Sequence, residues 1–221
     1  MNIQAAALLM ASALILPGCV TSSVDEMLYR GQEANLGEQA TIVILGRRHA
    51  SDYETEPDFI DCVGKHISSA DSSVQVMSEL EFMNELYPWF EPRTAPLRPL
   101  DIERLLQVEP VMKKIATMKT EYMVWIDGKT VLTEGSGSMT CGIGPGGAGC
   151  FGFGTWGNDS EYEAVIWDFS DRQEVGRMST TASGQSYMPA VVIPIPIIAP
   201  VQGTACDGLG EQLLEFFSTE Y

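Results

Sequence analysis

The sequence predicts an α/β (α+β) protein, a single two-layer domain in which a mixed β-sheet packs with helices. Three observations predict it. TIVILG, residues 41–46, is a β-branched run closed by a glycine and reads as a buried strand. Apolar stripes with helical spacing follow it. Beyond residue 120 the hydrophobic period shortens, as it does in successive strands.

The elements follow in order. After the first strand, GRRHASDYETEPD is a polar loop. Asp58 is placed to cap a helix, with Pro57 before it. Phe59, Cys62, Val63, His66 and Ile67 form that helix's apolar stripe, on which His66 reads as a core histidine. SVQVM, 73–77, is a second strand. Ser78 and Glu81 make an S-x-x-E capping box that opens a helix through about Leu86. LYPWFEPRTAPLRP, 86–99, is broken by its prolines. Leu100–Leu106 and Pro110–Met118 read as helical segments, with Pro110 at a first helical position.

EYMVWID (121–127), SMTCGI (138–143), EYEAVIWDF (161–169) and VGRMSTTA (175–182) then read as four strands joined by turns. The third is apolar on both faces, which places it centrally in its sheet. PAVVIPIPIIAP, 189–200, is extended. Pro194 and Pro196 turn their missing N–H groups to one edge, which cannot pair. Cys206, Leu209, Leu213 and Phe217 form the stripe of a last helix. The expected order is β-α-β-α-α-β-β-β-β-(β)-α.

Thirteen basic residues stand against thirty acidic ones, a net charge of −17. That excludes nucleic acid as a partner, because its backbone needs Lys and Arg to displace counterions. It leaves room for cationic partners.

The opening residues carry an address. Residues 5–16 are almost entirely apolar, too short a run to span a bilayer but suited to a secretory signal. The run ends Leu16-Pro17-Gly18-Cys19, which resembles the lipobox of bacterial lipoproteins. The resemblance implies a signal peptide at 1–18, an acylated Cys19, a tether over 19–40 and one periplasm-facing domain over 41–221. Val20, following the acylated position, implies the outer membrane.

CGIGPGGAGCFGFGTWG, 141–157, is the densest glycine run. A dinucleotide site needs a helix after the glycines, and a P-loop needs Lys-Ser or Lys-Thr. Neither is here. Two cysteines without a nearby histidine do not make a zinc site. The run reads as a hairpin loop. Without Cys19 four cysteines remain, and export favours oxidation. Three pairings are open. The expectation is Cys141–Cys150 across the loop and Cys62–Cys206 between the first and last helices, with buried free thiols at Cys62 and Cys206 as the alternative.

No metal site and no cofactor are expected: Asp52, Glu54, Glu56, Asp58 and Asp61 do not follow the spacing of a calcium loop. No catalytic residue is assigned. The chain has two histidines and no G-x-S-x-G. Two segments are candidates for partner contact. LYPWFEPR offers Tyr87, Trp89, Phe90 and Arg93, rigid aromatics beside an arginine; the alternative is that they cap the core. Arg47, Arg48 and His49 lie just past a strand end, where ligands gather; the alternative is a solvated loop balancing the acidic residues that follow.

The chain as a whole resembles a broad group of bacterial envelope lipoproteins: the penicillin-binding-protein activators, the curli-secretion lipoprotein and the N-terminal domain of the Tol β-propeller protein. The shared pattern is a lipobox, a β-α-β start, a helix feeding an EYMVWIDG-like strand, and an IWDFSDRQEVG-like turn. LYPWFEPR, GPGGAGCFGFGTW, YEAVIWD and SYMPAVVIPIPIIAP look like an uncharacterised family of proteobacterial outer-membrane lipoproteins. The resemblance implies an α/β domain that holds partners without catalysis. The expected role is a membrane-anchored binding or assembly module for envelope proteins. The alternatives are an envelope hydrolase with unplaced carboxylates, or a subunit that forms homo-oligomers as the curli-secretion relative does.

Overall fold

The computed structural model describes residues 20–23, 41–47, 55–70, 74–91, 93–145 and 147–218. The signal peptide, Cys19, Arg48, His49 and most of the tether lie outside the described residues. The chain divides into two compact units. A helix–sheet unit holds Ser22–Val131, Asp159–Ala182 and Val201–Tyr221; a strand unit holds Leu132–Asn158 and Ser183–Pro200 together with Val20 and Thr21.

The expected α/β class with a mixed sheet is what the chain forms. Among the described residues the strands are β1 (Val20–Ser23), β2 (Thr41–Gly46), β3 (Gln75–Met77), β4 (Thr120–Gly144), β5 (Gly147–Asp168) and β6 (Gln173–Pro194), ordered β1-β6-β5-β4-β2-β3. β2 runs parallel to both β3 and β4. The described helices are α1 (Pro57–Ala70), α2 (Glu79–Glu85), α3 (Pro99–Leu106), α4 (Glu109–Met118) and α5 (Val201–Ser218). Three helices therefore stand between β3 and β4, one more than the expected order counts.

In the helix–sheet unit, Val43, Leu45, Met123, Trp125, Val165 and Trp167 face Phe82, Leu86, Ile102, Leu106, Val111 and Ile115 of α2–α4. The alternate residues of the same strands face the other way. There Phe59 of α1 stacks on Tyr162 at 3.5 Å, and Phe217 of α5 meets Tyr122 edge-on at 5.5 Å. Helices thus cover both faces of the sheet in this unit. The cause is the doubly apolar strand 162–169, which needs cover on both sides. Each Leu, Ile or Phe fully buried this way contributes about 1.5–3 kcal/mol.

Local signals explain the helix ends. Ser78 caps α2 by accepting the Glu81 N–H. α1 begins two residues earlier than expected: the Glu56 carbonyl accepts the first helical N–H groups, so Asp58 sits inside the first turn instead of capping it. α4 ends on Lys119 in the left-handed conformation, φ 57°. α5 starts directly after Pro200, five residues before the expected stripe. His66 is a second correction. It is half-buried, 3.6 Å from Asp207 of α5, where the two helices meet.

The strands differ most from expectation. Segments 121–127 and 138–143 are one strand, and the intervening GKTVLTEGSG, read as a turn, is strand as well. The glycine run is not a loop either. Among the described residues of the run only Pro145 turns, and the glycines from Gly147 on lie in β5. β4 and β5 run antiparallel, because positions later in β4 approach positions earlier in β5. At Gly137, φ is 143°, and a Cβ would collide with the Phe153 carbonyl, so only glycine fits.

Cys62 is bonded to Cys206, joining α1 to α5 with Cα atoms 6.2 Å apart. Cys141 is bonded to Cys150 across the β4–β5 turn. The buried free-thiol alternative does not hold for either helix cysteine.

Candidate interaction surfaces

The 86–99 segment is a tied cap. The Trp89 N–H donates to Leu86 O at 2.9 Å and the Thr94 N–H to Glu91 O at 2.8 Å. The Thr94 hydroxyl donates to Pro88 O. The Tyr87–Pro88 peptide is cis. Phe90 lies edge-on to Phe82 at 5.5 Å, and the Lys114 ammonium sits 6.0 Å above the Trp89 ring. Trp89 and Phe90 are partly buried against the core formed by α2–α4. Tyr87, 63% exposed, and Arg93 point to solvent. Of the aromatic trio, one side chain is presented and two hold the platform beneath it.

Arg47 is pinned at the sheet's end. Its guanidinium meets Asp127 at 2.8 Å, and its N–H donates to Ile126 O at 2.8 Å. Beside it, a small hollow of about 10 Å³ is lined by Leu45, Met83, Phe90, Pro96 and Trp125. Its one carboxylate, Glu79, accepts the Gly46 N–H at 2.9 Å. Among the described residues no three His, Cys, Asp or Glu side chains converge as metal ligands would. No described helix is long and apolar enough to cross a membrane.

A buried polar network lies elsewhere in the same unit. Glu56 accepts the Thr130 N–H at 2.7 Å and the Tyr162 hydroxyl at 3.1 Å. Thr130 Oγ1 lies 2.8 Å from Ser160 Oγ and 3.0 Å from the Tyr162 oxygen. Burial pushes the Tyr162 phenol well above its ordinary range, and the Glu56 charge adds to the rise. This network locks β4, β5 and the start of α1.

Sequence reasoning missed the surface of the strand unit. Val191, Val192, Ile193, Ile195 and Ile198 are exposed, Val191 to 73% and Ile193 to 67%. Ile143 at 90% and Phe151 at 75% are exposed near the β4–β5 turn. The backbone of Gly149 borders Val192, and Phe153 lies 6.1 Å from Tyr187, so the turn and the end of β6 share one surface. A large apolar side chain left mostly in water exposes on the order of 100 Å². Seven of them exceed the few hundred Å² that a single soluble chain ordinarily shows. The signal available in the sequence was the near absence of charge. Leu132–Asn158 holds Glu134 alone, and Ser183–Pro200 holds no charged residue.

The proline-rich segment closes back on its own strand. Tyr187 and Ile197 exchange both backbone hydrogen bonds, at 2.9 and 2.7 Å, and the Ile195 N–H donates to Pro189 O at 3.0 Å. The buried Ser186 hydroxyl accepts from Asn158 Nδ2 at 2.7 Å and from the Ala199 N–H at 3.0 Å. The expected blocked edge is thus a fold-back, with Val192 at its bend in the left-handed region, φ 78°.

No family model matches this chain, and no curated protein matches it. Among solved structures it is similar to the PelC dodecamer from Paraburkholderia phytofirmans, at 9% identity and TM-score 0.40, over 90% of this chain and 100% of that one. A neuraminyllactose-binding hemagglutinin homolog from Helicobacter pylori is similar at 7% identity and TM-score 0.39, over 85% and 90%. Lipoprotein GNA1162 from Neisseria meningitidis is similar at 11% identity and TM-score 0.31, over 80% and 99%. A lipoprotein thus stands among the structural neighbours, and none of the three carries a role to this chain.

Proposed function

We propose that this chain is an outer-membrane lipoprotein, anchored through acylated Cys19, whose periplasmic fold acts as a non-enzymatic binding or assembly module for envelope proteins. The observation that carries the reading is Tyr87 with Arg93. An exposed tyrosine stands on a cap immobilised by hydrogen bonds and by the packing of Trp89 and Phe90. A rigid exposed aromatic loses little entropy on binding, and tyrosine and arginine are the residue types that interface hot spots favour. Fixing the loop before binding makes that contact stronger than a mobile loop would.

In-cell crosslinking of the tagged, acylated protein, with mass spectrometry of the captured species, tests this. A reproducible set of envelope proteins is expected, lost for Cys19→Ala and reduced at least tenfold for Tyr87→Ala/Arg93→Ala with the thermal midpoint unchanged. Capture unaffected by both variants would sink the reading.

A further inference from the structure

We infer that the strand unit is a second membrane contact: the Val191–Ile198 fold-back and the β4–β5 turn sit in the apolar boundary of the bilayer that holds the acyl anchor. This rests on the anchored reading above for where the bilayer lies.

Three features point to lipid. The first is position. β1 begins at Val20, the residue bonded to Cys19, and β1 is the sheet neighbour of β6. Val20 and Thr21 belong to the strand unit, so the part of the expected 19–40 tether next to Cys19 is itself strand in this sheet. The second is charge. The chain carries −17 overall, yet Ser183–Pro200 contributes none of it. Hydrocarbon strongly rejects a charged side chain, whereas a protein partner tolerates a charged rim. The third is the backbone. Lipid cannot satisfy peptide groups, so a segment entering it must pair them internally. In the fold-back, the Ile195 and Ile197 N–H groups are bonded, and Pro194 and Pro196 have none to satisfy. An exposed Val–Ile–Pro hairpin in which these two donors are bonded and two residues are prolines suits shallow insertion.

The test uses the mature acylated protein in phosphatidylcholine vesicles that contain a diazirine-bearing phosphatidylcholine. Zwitterionic lipid removes charge attraction as a cause of contact. After irradiation, peptide mapping is expected to find lipid adducts on 189–200. In Val191→Glu/Ile193→Glu these adducts fall at least tenfold, while the protein still floats with the vesicles. Both side chains are exposed, so the core is untouched, and an unchanged thermal midpoint verifies it. Adducts confined to the Cys19 peptide overturn the inference. So does a particle of several copies with 189–200 unlabelled, which would assign the surface to a second copy. An intact mass without acyl chains would sink the anchor reading alone. The non-acylated protein mixed with the same vesicles would still label 189–200 if the inference holds, and leave it bare if not.

Discussion

Tyr162 donates its phenolic hydrogen to Glu56 at 3.1 Å, across 106 positions of sequence. Glu56 sits at the start of α1, and its other carboxylate oxygen accepts the Thr130 N–H. One side chain therefore ties two strands to a helix. Replacing Glu56 with Ala leaves two donors without their partner, each worth about 1–3 kcal/mol where buried. We expect a loss of about 2–4 kcal/mol in urea unfolding. Tyr162→Phe, which keeps the stack on Phe59, should cost about 1 kcal/mol.

The same contact fixes a pH dependence. The folded phenol ionises above its unfolded value of about 10, because burial and the Glu56 charge disfavour phenolate. Its contribution is complete below pH 10 and is lost as pH rises above that value, since the unfolded chain releases the proton first. The slope should approach about 1.4 kcal/mol per pH unit and be absent in Tyr162→Phe. Urea titrations of both proteins between pH 8 and 11 measure it. Identical slopes would show that Tyr162 is not the group responsible.

The two disulfides should differ in weight. Cys62–Cys206 closes a loop of sequence separation 144, and Cys141–Cys150 one of 9. By loop entropy the first stabilises by about 5 kcal/mol and the second by about 2.7 kcal/mol. Cys62→Ser/Cys206→Ser should therefore lower the thermal midpoint more than Cys141→Ser/Cys150→Ser. The opposite order would mean that native packing, not chain entropy, sets their contributions.

The α1–α5 contact beside the longer bridge leaves no spare room. A Cβ on Gly210 would lie 2.7 Å from the His66 ring. Gly210→Ala should cost about 1–3 kcal/mol, as overpacked cores do, despite the gain in helix propensity. Adding His66→Ala should restore most of that loss, because it removes the obstructing ring. No recovery in the double variant would place the strain elsewhere.

What the sequence revealed follows from how each element is stabilised. α2 was legible because Ser78 and Glu81 are a local signal, and α1 because Phe59, Val63 and Ile67 repeat at helical spacing. The cysteine pairs were legible from composition and position. β4 was not legible as a long strand, because beyond Lys129 nearly all of its residues are exposed and no in–out alternation is imposed on the sequence; β5 opens on exposed or half-buried Gly, Ala, Cys and Phe. Ser, Thr and Gly there pair through backbone and through short polar contacts such as Ser136 Oγ with Thr155 Oγ1 at 3.1 Å, which leave no hydrophobic period to read. Tyr87 and Trp89 look equivalent in LYPWFEPR; only the fold shows one exposed and the other packed. The apolar surface was hidden for a related reason: Val191, Ile193 and Ile198 read as core in any sequence pattern, and exposure is decided by which strand edge the prolines close.

That closure depends on one hydroxyl. Ser186 is fully buried and accepts from Asn158 on one side and from the Ala199 backbone on the other. The fold-back has two further tethers, the Tyr187–Ile197 pair and Ile195 to Pro189. Ser186→Ala removes both acceptances and leaves two buried donors unsatisfied, a cost of about 1–3 kcal/mol each. That exceeds the net worth of about 0.5–1.5 kcal/mol for each remaining bond. Segment 195–200 should therefore detach before the rest of the chain unfolds. Hydrogen exchange measures this directly: the Ile197 and Ala199 amides should lose protection at least tenfold in Ser186→Ala, while the Val124 amide in the core stays protected. Ser186→Thr retains the oxygen but adds a methyl, so it should keep the Ala199 protection only if the site has space for it. Uniform loss of protection across all three amides would show that Ser186 supports the whole fold instead of the fold-back alone.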